Sequence, residues 1–492
     1  METVKRDAKT TDTYIYKRPG IQTLSQPTSN PAIGFGIYNW QGDIFSIFDG
    51  IFFKNGINRG TVDTTGGVYR FNSNLGVTPK LQLGNGVAAY NFSETFGLQQ
   101  IPITGTVVTA GGFHTGTTYV IASIGTTNFT LIGAASNTVG ITFIATGLGS
   151  GTGTATVNGF PATFVKGWAY LDQTTYIMTN MFSGASGPII QGSGLNDATT
   201  WDPLNNIGPT IEPDLGVALG KQLVNVIALK QWTTEVFYDA GNATGSPLGR
   251  VAGAKSNWGC LSQDSMRDID GVLMWLASTR TGTISIVSME NLRARTVSTK
   301  AVERLLDGID TSVIYSFQLQ IAQHKLYVIT FKNANLTLVY DMAENMWSQW
   351  TDSDGNYFPF VDAAVDANQN HLLQHESNGR IYRIGEDLTN DDDLLILVDI
   401  YTPNFEAGVR RRKYLSSMEF IADQTPGSLL NVRFSDDDYQ TWSQFRIVNL
   451  ALRRPFLVDC GTFYSRAFHL RHRADTKFRI QAVEVQMSLG SL

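Results

Sequence analysis

Short apolar runs alternate with turn residues along most of the chain, and the period of the pattern is that of strands. Ile44-Phe-Ser-Ile-Phe48 and Ile51-Phe-Phe53 flank Asp49-Gly50. Two apolar runs around Asp-Gly are a strong local hairpin signal, because Asp and Gly tolerate the positive φ that such a turn demands. Related units follow at Phe164–Leu171 with Tyr176–Met178, at Gly271–Ala277 with Thr283–Val287, and at Leu326–Phe331 with Leu336–Asp341. A fragment of a fifth is Gly379–Ile384. Loops bearing Trp or Asp close two of them, at Asn196–Trp201 and Asn345–Trp350. The units recur at roughly 45 to 60 residues, close to the blade length of propellers. Radial repetition of four-stranded sheets also protects strand edges. The pattern predicts an all-β chain with a β-propeller over 31–103 and 158–390, the alternative being two stacked β-sandwiches.

Three segments depart from the repeat. Residues 1–30 read as an extended N-terminal arm, with Lys17-Arg-Pro-Gly20 as a turn. No charged residue occurs between Glu94 and Lys166, and the centre of that stretch alternates Thr, Gly and aliphatics, as in Thr117–Gly125 and Ile141–Thr146. Residues 104–157 are therefore expected to form a small inserted Gly/Thr-rich β module. The charge run Glu386–Asp393 marks a boundary, beyond which 391–492 should form a C-terminal β-sandwich-like domain. Helix is scarce. The one candidate is Thr299–Leu306, with Ser298 or Thr299 as N-cap and Gly308 just past its end.

Composition agrees with many short strands. Only 16% of the 492 residues are charged while 11% are aromatic and 48 are Gly, which argues against disorder. The formal net charge of −6 lacks the Lys/Arg excess of a general phosphate-binding surface. Cys260 and Cys460 belong to no metal or redox spacing and fit free thiols. No signal peptide is expected, and no apolar run approaches the roughly 18 residues of a membrane span.

Candidate chemistry is thin. His371 and His375 share a strand face but lie about 13 Å apart there, too far for one ion. Gly149–Thr154 is Gly-rich but lacks the Gly-Lys-Ser/Thr of a phosphate loop. Ser435-Asp-Asp-Asp-Tyr-Gln-Thr-Trp442 resembles the Asp-box of sialidases, with Tyr439 in place of Gly; that box is a structural turn. A sialidase would also need an Arg cluster and a Tyr–Glu pair, which the sequence does not place. Arg410–Lys413, Arg453-Arg454 and Arg471–Arg473 make the C-terminal part locally basic, as DNA contacts or as internal and interface pairing. No catalytic, cofactor-binding or metal residue is assigned, and no enzyme activity is expected.

Gly249-Arg-Val-Ala-Gly253, Gly271–Ala277, Val297–Glu303, Leu338–Asp341 with Trp347 and Trp350, and the opening Tyr16–Gly20 resemble the packaged-DNA stabilisation proteins of short-tailed bacteriophages, also called tail hub or nozzle proteins. The resemblance implies a structural virion protein of the tail, assembled in the host cytoplasm as a homo-oligomeric ring, usually a hexamer. It implies a portal–adaptor ring above, tail fibres, spikes or a needle as further partners, and double-stranded DNA retained and then ejected through the lumen without sequence-specific binding. The resemblance carries over no catalytic residue. Two other classes stay open: a glycan-binding, receptor-recognising propeller or tail fibre/tailspike-type protein, and a host-side propeller scaffold for proteins.

Overall fold

The computed structural model describes the backbone outside residues 1, 8–9, 63–68, 73–79, 84–88, 94–96, 102–104, 116, 158–164, 183–184, 196 and 491–492, and side chains outside these and 1–14, 63–104, 181–186, 197–200 and 203. Among the described residues, seven four-strand units succeed one another as propeller blades. Blades 1 to 6 run over Gly34–Thr61, Tyr69–Ile101, Val165–Ile207, Gly216–Arg250, Arg267–Thr296 and Ile314–Gln349. Blade 7 takes three strands from Phe360–Gly385 and its fourth, Gly20–Ser25, from the start of the chain. First strands of successive blades lie side by side, except that Val165–Leu171 meets Lys80–Leu83, the second strand of blade 2; Phe360–Val365 returns to Gly34–Trp40, so the ring closes.

The apolar cores lie between blades. In blade 4 the strand Asn225–Lys230 is buried at every residue. Val226 and Ala228 pack towards blade 3 with Tyr176 and Met178, while Ile227 and Leu229 pack towards blade 5 with Leu273 and Trp275. A blade flanked on both faces needs apolar side chains on both, which turns an alternating strand into a continuous run. The helix Lys300–Leu306 sits in such a seam: Val302 and Leu306 join the core between blades 5 and 6, and Thr299 caps it through the Val302 amide.

The hairpin Asp49-Gly50 has φ of 45° and 73°, the turn its sequence demands. The repeat was read in mixed phase, however. The units at Ile44, Gly271 and Leu326 are the second and third strands of their blades, whereas that at Phe164 is the first and second. That mixing explains the loose spacing. Blade 4 escaped because its strands carry no Asp-Gly or Trp-Asp punctuation, and blade 2 because its strands are only four or five residues long.

Residues 107–157 hold a separate four-stranded sheet with its own aromatic core of Phe113, Tyr119, Phe129 and Phe143. The edges expected for the insertion, 103/104 and 157/158, fall on residues outside the described ones. Towards the C-terminus two sheets face each other across a core that includes Leu415, Phe420, Val432, Leu470 and Ile480. Two refinements concern the ends. The opening segment is extended but is shared out: Glu2–Asp7 and Thr10–Tyr16 form a hairpin that joins a C-terminal sheet, and Gly20–Ser25 completes blade 7. Asp391 and Leu394–Leu395, placed beyond the boundary by the sequence, lie on the short strands Asn390–Asp391 and Leu394–Leu395 at the edge of blade 7. Among the described residues no helix is long and apolar enough to cross a membrane.

Candidate functional site at the propeller axis and the C-terminal joint

Two cavities open at opposite ends of the first strands. One, of about 580 Å³, is lined by Tyr38, Asn39, Asp270, Gln318, Gln320 and Lys325 among others. The other, of about 110 Å³, lies beside Arg267, Tyr315 and Asp362. Their charges are matched: Lys325 pairs with Asp270, and Arg267 stands 3.6 Å from Asp362. Such cavities have small-molecule dimensions, and neither concentrates the unpaired Lys and Arg that phosphates require.

A Tyr–Glu constellation does exist, and the fold brings it together. The Tyr357 hydroxyl donates to Glu376, Tyr315 also faces that carboxylate, and Lys332 lies 3.1 Å from it. Burial, then the adjacent carboxylate, pushes both phenols well above their ordinary range. The cluster ties blade 6 and the loop after it to the Glu376 turn of blade 7. Sequence could not find it, since Tyr315, Tyr357 and Glu376 come from two blades and a connecting loop.

The Asp-box segment is a turn. The Ser435 hydroxyl donates to Asp437 at 2.8 Å, and Asp437 accepts from the Thr441 amide and hydroxyl at 2.9 and 2.5 Å. Those bonds, led by Thr441, hold the Asp437 carboxyl down to about 2. Tyr439, where the box has Gly, adopts φ of 69°. Trp442 packs near His469 and under the Arg433 guanidinium.

His371 and His375 occupy the two ends of one strand. His375 is lowered to about 4, chiefly by burial, and its Nδ1 accepts from the Ser377 amide at 3.1 Å. Among the described residues no group of three or more His, Cys, Asp or Glu is placed to hold a metal ion. The basic segments are partly consumed internally. Lys413 is fully buried and donates to the carbonyls of Val409, Arg411 and Tyr464. Arg471 pairs with Asp399 at 2.8 Å, and Arg454 stands 3.4 Å from Glu419. Arg410, Arg411 and Arg453 remain exposed.

The Tyr16–Gly20 segment turns out to be the joint between propeller and C-terminal sheets. Lys17 sends its ammonium to the carbonyls of Ala474 and Thr476 at 2.9 and 3.1 Å, and burial brings it down to about 8. Arg18 faces the other way. It makes a two-pronged bond to Asp391, donates to the Thr351 carbonyl, and lies over the Phe358 ring at 4.9 Å. A Cβ on Gly20 would sit 2.1 Å from the Asn390 carbonyl oxygen, so only glycine passes there. A cleft of about 380 Å³ beside the joint includes Tyr16, His324 and Lys477 in its lining.

A buried charge cluster in blade 4 was not foreseen. Lys230 lies 2.8 Å from both Asp214 and Glu235, and Arg250 approaches Glu235 at 3.1 Å. Burial opposes ionisation of Asp214, but bonds from Lys230, Trp232 and Thr233 outweigh it and lower its carboxyl. The available signal was a Lys and a Glu flanking the turn of an apolar hairpin in a chain poor in charge.

Residues 83–387, from the second blade through the seventh, match the family model of bacteriophage P22 Gp10, a beta-propeller. The chain belongs to this family. It is therefore a phage virion protein of the packaged-DNA stabilisation class, built on a β-propeller. No curated protein matches the sequence of this Gp10-family chain. Among solved structures, the extracellular domain of a hybrid two-component system from B. thetaiotaomicron aligns at 9% identity and TM-score 0.38, covering 75% of this chain, which spans 40% of that one. Streptogramin B lyase aligns at 10% and 0.32, over 76% of this chain and 97% of that one. The WD40 repeats of RRP9 align at 8% and 0.37, over 75% and 99%. Membership in the Gp10 family stands on the family model alone, apart from these distant likenesses.

Proposed function

We propose that this Gp10-family chain forms the hub or nozzle ring of a short phage tail, retains packaged DNA and forms part of the ejection channel. The family match over 83–387 carries the reading. Its role is mechanical and needs no catalytic residue. In this reading the ring is a homohexamer below the portal–adaptor ring, fibres, spikes or a needle attach to it, and the 104–157 module projects from the propeller.

The physics supports such a part. A propeller closed by its own N-terminal strand cannot open without breaking that strand's pairing, and Lys17 and Arg18 lock the C-terminal sheets to it. The axial cavities are of small-molecule size, so the DNA channel belongs between copies rather than through one propeller. Ring closure requires heterologous contacts between neighbours. Six copies, each with a formal charge of −6, would favour sliding of DNA over adhesion if the lumen shares that sign.

The test is a phage lacking this protein. Its particles should package DNA and then lose it, and purified protein should restore retention while appearing as a ring below the portal in electron micrographs. Particles that keep their genome without the protein would refute the reading.

A further inference from the structure

The Asp-box segment and the residues after it carry two aromatic side chains onto the outer face of a C-terminal sheet. That sheet runs in the order Val398–Tyr401, Ala467–His472, Leu429–Ser435, Arg446–Asn449. Its inner side chains, among them Ile400, Leu430, Val432 and Leu470, enter the sandwich core. Alternation puts the intervening ones outside. Register sets them in rows: Tyr401 beside His469 beside Arg433, and Asp399 beside Arg471 beside Asn431. Trp442 and Phe445 meet the Arg433 end of the first row.

The rows are built round one imidazole, His469, which is 0% exposed. Arg433 Nε donates to its Nδ1 at 2.8 Å, so Nε2 carries the proton and donates to Asp399 at 2.5 Å. Arg471 closes on the same carboxylate at 2.8 and 3.2 Å. The Tyr401 ring lies nearly parallel to His469, with 4.1 Å between centroids and 14° between planes. One face of Tyr401 is thereby covered, yet the residue stays 53% exposed, so the other face meets solvent. The Arg433 guanidinium lies 5.0 Å from the Trp442 ring and 4.5 Å from the Phe445 ring. Among the described residues its two terminal nitrogens have no hydrogen-bond partner, only Nε being engaged.

These parts match one ligand chemistry. A guanidinium held between rings, with its outer nitrogens unpaired, is a preorganised fork for a carboxylate. An open aromatic face takes the flat C–H face of a pyranose. A carboxylate has about four lone-pair sites. The bonds from His469 and Arg471 leave Asp399 room for a donating hydroxyl. Tyr401 and Arg433 stand two strand spacings apart, about 10 Å, a span that a short oligosaccharide covers. Charge narrows the choice. Arg433, Arg471 and the exposed Arg473 outnumber Asp399 here, in a chain of formal net charge −6. The carboxylates of the box are engaged elsewhere: Asp436 by Arg466, Asp437 in its own turn, Asp438 by Asn404. An acidic peptide brings like charge to Asp399, whereas a uronic sugar brings hydroxyls to Asp399 and its carboxylate to Arg433. We infer that this face binds a uronic-acid polysaccharide, with a pyranose on Tyr401 and a carboxylate on Arg433. The inference does not depend on the ring.

The test titrates the full chain with oligogalacturonate, with an oligosaccharide containing glucuronate, and with methyl-esterified oligogalacturonate, by calorimetry and saturation-transfer NMR. At least one acidic sugar should bind, with saturation strongest on its ring C–H protons. Esterification should weaken binding at least about tenfold, as loss of a charge-assisted hydrogen bond does. Arg433→Lys, which lacks the fork, and Tyr401→Ala, a surface change, should each weaken it by a similar factor with an unchanged melting temperature. Should Arg433→Lys disturb the fold, Tyr401→Ala decides alone. No binding of either acidic sugar, equal binding of the esterified chain, or full affinity in Tyr401→Ala overturns the inference. Tighter binding of a Glu-rich peptide or a DNA duplex to the same face also overturns it, making the face a protein or nucleic-acid contact.

Discussion

Replacing Lys230 with methionine tests the buried cluster of blade 4 directly. Methionine keeps much of the side chain's length and removes the ammonium, leaving Asp214 and Glu235 facing each other. The side chains of Lys230 and Asp214 are 0% exposed and that of Glu235 1%, so water cannot take over. Removing one partner of a buried ion pair costs about 3–5 kcal/mol. Two features pull the expectation to the low end, about 3 kcal/mol within that range: Glu235 keeps Arg250 at 3.1 Å, and Asp214 keeps the Trp232 and Thr233 amides at 2.9 and 3.0 Å. With a urea slope of about 3 kcal/mol/M, the midpoint should fall by about 1 M at pH 7, read by tryptophan fluorescence. The pH dependence supplies the sign. In the natural protein the Asp214 carboxyl is lowered, so its contribution is present above the unfolded value of about 3.9 and fades as pH falls below it. In the variant, burial without Lys230 raises the Asp214 carboxyl, so the folded state binds a proton that the unfolded chain releases, and the deficit should shrink from pH 7 to pH 5. A shift under about 0.3 M in urea at pH 7, or equal shifts at both pH values, would refute the reasoning, since a midpoint change of that size is about 1 kcal/mol on the same slope.

Three further outcomes are expected. Arg18→Ala leaves Asp391 buried without its partner, and a loss of about 3–5 kcal/mol should accompany faster proteolysis between the propeller and the C-terminal sheets; an unchanged cleavage rate would contradict the joint. Gly20→Ala forces a Cβ against the Asn390 carbonyl, so the first strand should detach and the melting temperature should fall by several degrees, whereas Ser25→Ala nearby should leave it unchanged. Because Asp437 is depressed to about 2, its turn should stay ordered as pH falls through the usual carboxylate range and loosen only towards about 2, as followed by the Thr441 amide resonance; loosening near pH 4 would show the bonds are not made.

The class of the fold was written in local pattern. Asp49-Gly50 needs only its own backbone geometry to make a hairpin, and Thr299 caps its helix within three residues, so both are visible in a window of ten. The family resemblance lay in motifs that became blade strands, and Tyr16–Gly20 stood out although its purpose did not. What tertiary structure decided are matters of partners distant in sequence. The phase of the blades depends on which strand faces the axis, and that depends on ring closure by Gly20–Ser25 against Ile381–Gly385. The Tyr315–Tyr357–Glu376 cluster, the Arg18–Asp391 rivet and the Lys230 cluster each join polar or charged groups whose energies come from burial, which a linear pattern does not carry.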